Sequence, residues 1–380
     1  MYTVSNPSFN NRIPGSSGNV RGQGETMKNL WMLGVAALFL VGARAQTNSY
    51  TVTNIVNNTQ DHFLVNPWGL SRVANPALKE NEWWVSDNVT GFSTLYYANK
   101  TGAASLAPLV ITIPSARGTG RGSPTGTAYN AAIGPGPGAN NFAFATLDGT
   151  ISNWNAGTTP IGTFAHCAQC HVTSATIMVN HSASGASYQG LTIAKNATSG
   201  APTYYAANST GGVEAYDAAS FSPVTLPPGA FVDPSIPNTY SPAGIQAIGT
   251  SIFVLYNAAA GGGTGYVDAY DTNGTLLMQL QQGRFSQPWG LALAPANFGL
   301  YSKMLLVGNT GNGRIGVYSP STGRFKDFLR DASGQAITIP GLWGLSFGNG
   351  NAESGPTNVL YFTAGGAQQT TGVFGSITAN

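Results

Sequence analysis

Gln287-Pro288-Trp289-Gly290-Leu291-Ala292-Leu293 places a turn, a glycine and a short apolar run in succession. The step recurs around Gly69 (Asn66-Pro67-Trp68-Gly69-Leu70), Gly126 (Ser123-Pro124-Thr125-Gly126-Thr127), Gly190, Gly244 and Gly344. Successive glycines are 57, 64, 54, 46 and 54 residues apart. A second beat comes after each one. It begins at Gly91, Gly149, Gly211, Gly265, Gly313 and Gly372, and leads to Tyr96, Trp154, Tyr216, Tyr270, Tyr318 and, without an aromatic, Ile377. Self-similarity at this period means one supersecondary unit copied around a ring or along a stack.

Working outward, each unit reads as four short strands. The most apolar is the second: Trp83-Trp84-Val85, Phe142-Ala143-Phe144, Tyr204-Tyr205, Phe253-Val254-Leu255, Leu305-Leu306-Val307 and Leu360-Tyr361-Phe362. The fourth varies, as in Leu109–Ile113, Leu276–Met278 and Ile337–Ile339. Short strands between turn residues, with no helical period, predict an all-β, six-bladed β-propeller with four-stranded blades. The sixth unit ends after its third strand. Ser49–Val56 is strand-like and is expected to supply the fourth, closing the ring and hiding two sheet edges.

Composition agrees: Gly is 50 and Pro 22 of 380 residues, 42% are apolar and only 8% charged. A net charge of +2 without a basic run offers no electrostatic attraction for nucleic acid or anionic lipid. Residues 1–26 read as an unstructured or artefactual extension. Met27–Ala45 reads as a signal peptide: Lys28, an apolar run from Leu30 to Val41 too short for a membrane span, then Ala43-Arg44-Ala45 for cleavage. Residues 46–380 form the propeller, with no membrane span in the mature chain, exported to the periplasm or outside.

Asn66–Leu70, Trp84-Val85-Ser86-Asp87-Asn88, Asp148-Gly149-Thr150-Ile151, Ala294-Pro295-Ala296-Asn297-Phe298-Gly299, Gly341–Gly350 and Leu360–Gly365 carry a further likeness. Through them the chain resembles an uncharacterised family of exported bacterial proteins, six-bladed propellers related to NHL-repeat proteins. The resemblance runs from about Val52 to Ile377. It implies fold and export, and no reaction.

Both cysteines fall in His166-Cys167-Ala168-Gln169-Cys170-His171. Cys-x-x-Cys-His is the spacing for c-type haem, with Cys167 and Cys170 as thioether positions and His171 as axial ligand. Met178, His181, His166 and His62 are the candidates for the opposite axial position. Alternatives for the same residues are a local disulfide, a metal ion held with His166 and His171, or a loop without a role. The motif is expected at the outer rim of the second blade.

Asp87, Asp148, Asn208, Asn257 and Asn309 come just after the second strands and are expected at one mouth of the channel. They are candidate ligands for Ca²⁺ or, alternatively, turn residues bonding nearby backbone. Trp68, Trp289 and Trp343 share one blade position, which suits stacking on a flat ligand such as a sugar or, more simply, packing between blades. No catalytic set can be assigned. The first functional expectation is a non-enzymatic scaffold or binding module with a protein or glycan partner. The alternatives are a monohaem c-type cytochrome with a redox partner, and a channel-metal hydrolase or lyase.

Overall fold

The computed structural model describes residues 46–77, 81–99, 104–131, 142–155, 162–164, 167–259 and 261–380; residues 104, 162–164 and 167–170 are described by backbone alone. The extension, the signal segment and His166 lie outside the described residues. Six sheets follow one another around a ring, each blade antiparallel within itself. Blade 1 is Pro67–Ser71, Trp83–Asp87, Phe92–Ala98 and Ala104–Thr112. Blade 2 is Pro124–Tyr129, Phe142–Thr146, Thr150–Trp154 and Thr176–Asn180. Blade 3 has Tyr188–Lys195, Pro202–Asn208 and Gly212–Asp217. A single bridge from Tyr216 to Pro223 stands where its fourth strand would run.

Blade 4 is Tyr240–Ile248, Ser251–Ala258, Gly265–Tyr270 and Leu276–Gln279. Blade 5 is Pro288–Leu293, Leu305–Asn309, Ile315–Tyr318 and Phe325–Phe328. The fourth strand expected at Ile337–Ile339 is therefore placed earlier. Ile337 and Ile339 instead lie in the connection to blade 6, buried against Leu342 and Leu345. An apolar run can fill a core without joining a sheet, and periodicity does not separate the two. Blade 6 is Leu342–Phe347, Leu360–Ala364 and Val373–Ala379, completed by Tyr50–Asn57. That last pairing is antiparallel, with Tyr50 opposite Ala379 and Asn57 opposite Val373.

The repeated glycine has a steric cause. In every blade the innermost strand breaks register at the glycine step. A Cβ on any of the six would press on the innermost strand of the next blade. For Gly69 it would lie 2.5 Å from the Thr125 carbonyl oxygen, for Gly244 2.5 Å from that of Trp289, and for Gly344 2.7 Å from that of Trp68. Glycine marks a bulge where two backbones approach closely. The contact runs from each blade to the next and from blade 6 back to blade 1.

The second beat also has a packing cause. Tyr96, Trp154, Tyr216, Tyr270 and Tyr318 are all buried, as is Ile377 in the sixth unit. They join the apolar clusters that fill the gaps between neighbouring sheets.

Candidate functional site

The six inner strands surround a narrow channel. Between the glycines it holds a cavity of only about 30 Å³, room for one or two waters. On the side where the inner strands begin it is closed by tryptophan. Trp68 and Trp343 stack with ring centres 3.8 Å apart, and Trp289 meets both edge-on at 5.9 and 5.6 Å. Each is under a tenth exposed. Trp343 donates its Nε1–H to Asn66 Oδ1 at 2.9 Å, and Trp289 reaches the Gln189 carbonyl of blade 3 at 3.1 Å. The three rings pack on one another across the axis. They join blades 5, 6 and 1 in one buried cluster, the packing between blades expected of them, here reached at the axis. Offset and edge-on aromatic packing accounts for the arrangement.

On the other side, past the glycines, the inner strands open into a basin of about 200 Å³. Ser71, Thr127, Thr192, Gln246 and Ser346 line it from blades 1, 2, 3, 4 and 6. Arg72 also borders it, but its guanidinium is committed to blade 6, donating to the Phe347 carbonyl at 2.9 and 2.7 Å. Ser71 and Thr127 hydroxyls meet at 3.1 Å across the blade 1–2 joint. Thr192 accepts the Ala247 N–H at 3.0 Å across the blade 3–4 joint.

The Asp and Asn residues expected as channel-mouth ligands occupy equivalent places, and most are already used. Asp148 accepts the N–H groups of Ala116 and Ser123 at 2.6 and 3.3 Å. Asn208 accepts that of Ser187 at 3.0 Å, and Asn309 that of Ser286 at 2.9 Å. Each thus ties down the segment leading into its own blade, through backbone N–H groups more than 20 residues away in sequence. Asp87 is fully buried and accepts the Thr94 N–H at 3.1 Å. Burial, then the charge of Asp61, push its carboxyl well above the usual range. Asn257 Oδ1 is buried without a hydrogen-bond partner. Among the described residues no three His, Cys, Asp or Glu groups come together to hold a metal ion.

The Cys-x-x-Cys-His stretch is placed differently from expectation. After its third strand, blade 2 sends out a hairpin of Gly162–Phe164 and Cys167–Ser174. The second arm adds to the outer edge of blade 1, parallel to Ala104–Thr112, with His171 opposite Leu109. Only Thr176–Asn180 then completes blade 2. The rim position holds, but on blade 1. Covering an exposed strand edge, burying Val172 and letting Trp154 donate to Thr173 Oγ1 at 2.7 Å all favour this route. From Cys167 to Ser174 the backbone is a strand, with a break in register between Cys167 and His171. His171 and His62 are exposed, and Met178 is 43% exposed on the blade 2 edge. His181 Nδ1 lies beside Tyr188, Tyr216 and Glu214.

The repeat pattern also holds acids two residues before the aromatic, which spacing arguments on the aromatic alone passed over. Glu214-Ala215-Tyr216 and Asp268-Ala269-Tyr270 put acid and tyrosine on one face of the third strand. That acid-x-Tyr spacing was the available signal. In blade 4, Asp268 is 2% exposed and bonded to Asp233. Burial, then the Asp233 carboxylate, push it from 3.8 up to about 7. Burial also acts on Asp233, but hydrogen bonds from Ser235 and Gln279 outweigh it and hold that carboxyl low. Asp268 therefore binds more protons folded than unfolded between pH 3.8 and about 7, so its contribution to stability falls as pH rises through that window. Asp268→Asn removes this dependence. The variant is expected to gain stability relative to the parent at pH 8 and to lose that advantage at pH 4.5, as read by urea midpoints.

No family model matches the chain. It is 26% identical to uncharacterized protein L690 of Acanthamoeba polyphaga mimivirus, over 88% of this chain and 87% of that one. It is 27% identical to uncharacterized protein R648 of the same virus, over 87% and 79% respectively. Among solved structures it is similar to BBS1N in complex with ARL6DN, at 11% identity and TM-score 0.45, covering 87% of this chain and 99% of that one. It is also similar to the Dos1 propeller, at 9% identity and TM-score 0.42, covering 80% and 81%.

Proposed function

We propose that the protein is an exported, non-enzymatic binding module that recognises a neutral, hydroxyl-rich ligand at the basin opposite the tryptophans. One observation carries this reading: five blades direct hydroxyl and amide side chains into one concavity on rigid inner strands, closed behind by the Trp68–Trp289–Trp343 plug. Ligand sites combine a concave wall with a few convergent polar groups. At about 200 Å³ the basin suits a single sugar unit, such as the end of a glycan. The unreactive character of the lining favours recognition over turnover. Export is proposed on the signal-like segment from Met27 to Ala45, and a propeller with variable loops suits a partner-facing role outside the cytoplasm.

Calorimetric titration with neutral mono- and oligosaccharides is the test. Saturable binding is expected, and Gln246→Ala and Ser346→Ala should weaken it without changing the melting temperature by more than a few degrees. Undiminished binding in both variants, or no binding of any neutral sugar by the parent, overturns the assignment. Chemical conversion of the sugar would replace it with an enzymatic one.

A further inference from the structure

Four side chains at the joint of blades 2 and 3 bring one polar atom each to a common point. His181 comes from the turn joining the two blades, Tyr188 from the inner strand of blade 3, and Glu214 and Tyr216 from its third strand. The Tyr188 hydroxyl lies 2.6 Å from Glu214 Oε2, 2.9 Å from the Tyr216 hydroxyl and 3.0 Å from His181 Nδ1. His181 Nδ1 is 3.2 Å from the Tyr216 hydroxyl and 3.3 Å from Glu214 Oε2. The Tyr216 hydroxyl also bonds Glu214 Oε2 directly. Every pair among the four atoms is therefore in contact, so they form a tetrahedron.

Protons alone do not account for six contacts. With Glu214 ionised, the two phenols and the imidazole Nδ1 supply at most three hydrogens, so the six contacts are not six separate hydrogen bonds. A cation at the centre would be coordinated by all four atoms at once. A tetrahedron with edges near 3 Å has its centre just under ~2 Å from each corner, close to the bond lengths of first-row cations to nitrogen and oxygen.

We propose that His181, Tyr188, Glu214 and Tyr216 form a ferric-iron site. Charge selects the metal. One carboxylate and two phenolates sum to −3 beside a neutral imidazole, which a trivalent cation balances. The oxygen-rich donor set suits a hard ion. Phenolate and carboxylate oxygens together favour a strong, hard Lewis acid over calcium or magnesium.

The surroundings support the site. Asn208 donates to Glu214 Oε1 at 2.7 Å and is itself fixed by the N–H groups of Ser187 and Thr210. Such outer partners orient a ligating carboxylate. The tyrosines are buried, whereas the His181 and Glu214 side chains are 42% and 27% exposed, which leaves the ion a way in.

The test loads the purified full chain with ferric nitrilotriacetate, desalts it, and measures retained iron and visible absorption. Stoichiometric iron with a phenolate-to-iron charge-transfer band is expected. Tyr188→Phe and Tyr216→Phe keep the ring packing and should each weaken and shift the band, and the two together should abolish it. The half-exposed His181→Gln, which leaves the buried core alone, should lower retention at least tenfold. The same band in the Tyr188→Phe/Tyr216→Phe double variant overturns the assignment. So does a folded parent that retains no iron, or one that retains zinc in preference to iron.

Discussion

A chain lacking residues 46–57 is expected to lose its cooperative thermal transition or to melt far below the intact protein. The removed strand pairs along the whole outer edge of blade 6. Tyr50 and Val56 are 1% and 3% exposed. Tyr50 sits against Phe298, donates to its carbonyl at 3.1 Å and accepts the Tyr301 N–H at 3.2 Å, so it ties blade 6 to blade 5. Asn48 adds donors to the Phe328 carbonyl at 2.9 Å and to Asp327 at 3.0 Å. Losing one buried aromatic costs about 3–5 kcal/mol and a buried aliphatic somewhat less. Together with an exposed strand edge, that approaches the whole stability of a typical domain, about 5–15 kcal/mol. Circular dichroism melts of the truncated chain and of Tyr50→Ala provide the check. Tyr50→Ala alone should cost about 3–5 kcal/mol. A truncated chain that melts like the parent would show that the ring does not depend on this closure.

The fold was legible because its two beats each carry a steric requirement. A glycine where inner strands touch and an aromatic between sheets are both dictated by residue type, so both can be read from spacing. The missing fourth strand of the sixth unit was legible by the same count. Ile337–Ile339 misled because buried connection and buried strand share one composition. The Cys167–Ser174 hairpin was misplaced because the repeat constrains the segment after a blade's third strand only loosely. Nothing local to the motif says which neighbouring edge the strand will cover.

The candidate sites were less legible, for a reason rooted in geometry. Trp68, Trp289 and Trp343 were visible as equivalent positions. That three of six blades suffice to fill the axis depends on channel width, which a one-dimensional pattern does not carry. In the sequence, His181 stands out only as a candidate partner for the cysteines. Its neighbours Tyr188, Glu214 and Tyr216 lie 7, 33 and 35 residues away, on strands whose meeting is set by the blade joint. Acids are few, 14 in the chain, which makes their concentration beside buried tyrosines at the joints informative only after folding is known.

Gly290→Ala is expected to cost about 3 kcal/mol or more, the upper range for inserting a methyl group where none fits. Its Cβ would fall inside van der Waals contact of the Trp343 carbonyl oxygen and lie 3.2 Å from the Leu345 backbone nitrogen. Both are backbone atoms of the adjoining inner strand, so relief requires blades 5 and 6 to part. Parting them would also disturb the edge-on contact of Trp289 with Trp343. Gly190→Ala occupies the equivalent place in blade 3, where the nearest atom, the Ile245 backbone nitrogen, is 3.3 Å away. A shift of a few tenths of an ångström accommodates it, at about 1 kcal/mol. Gly185 at φ 75° has nothing within 4 Å, so alanine there meets only left-handed backbone strain, about 1–2 kcal/mol. Urea midpoints at unchanged m-value should therefore place Gly290→Ala well below both others. If the three variants fall together, the glycines matter for chain flexibility and not for the spacing of the blades.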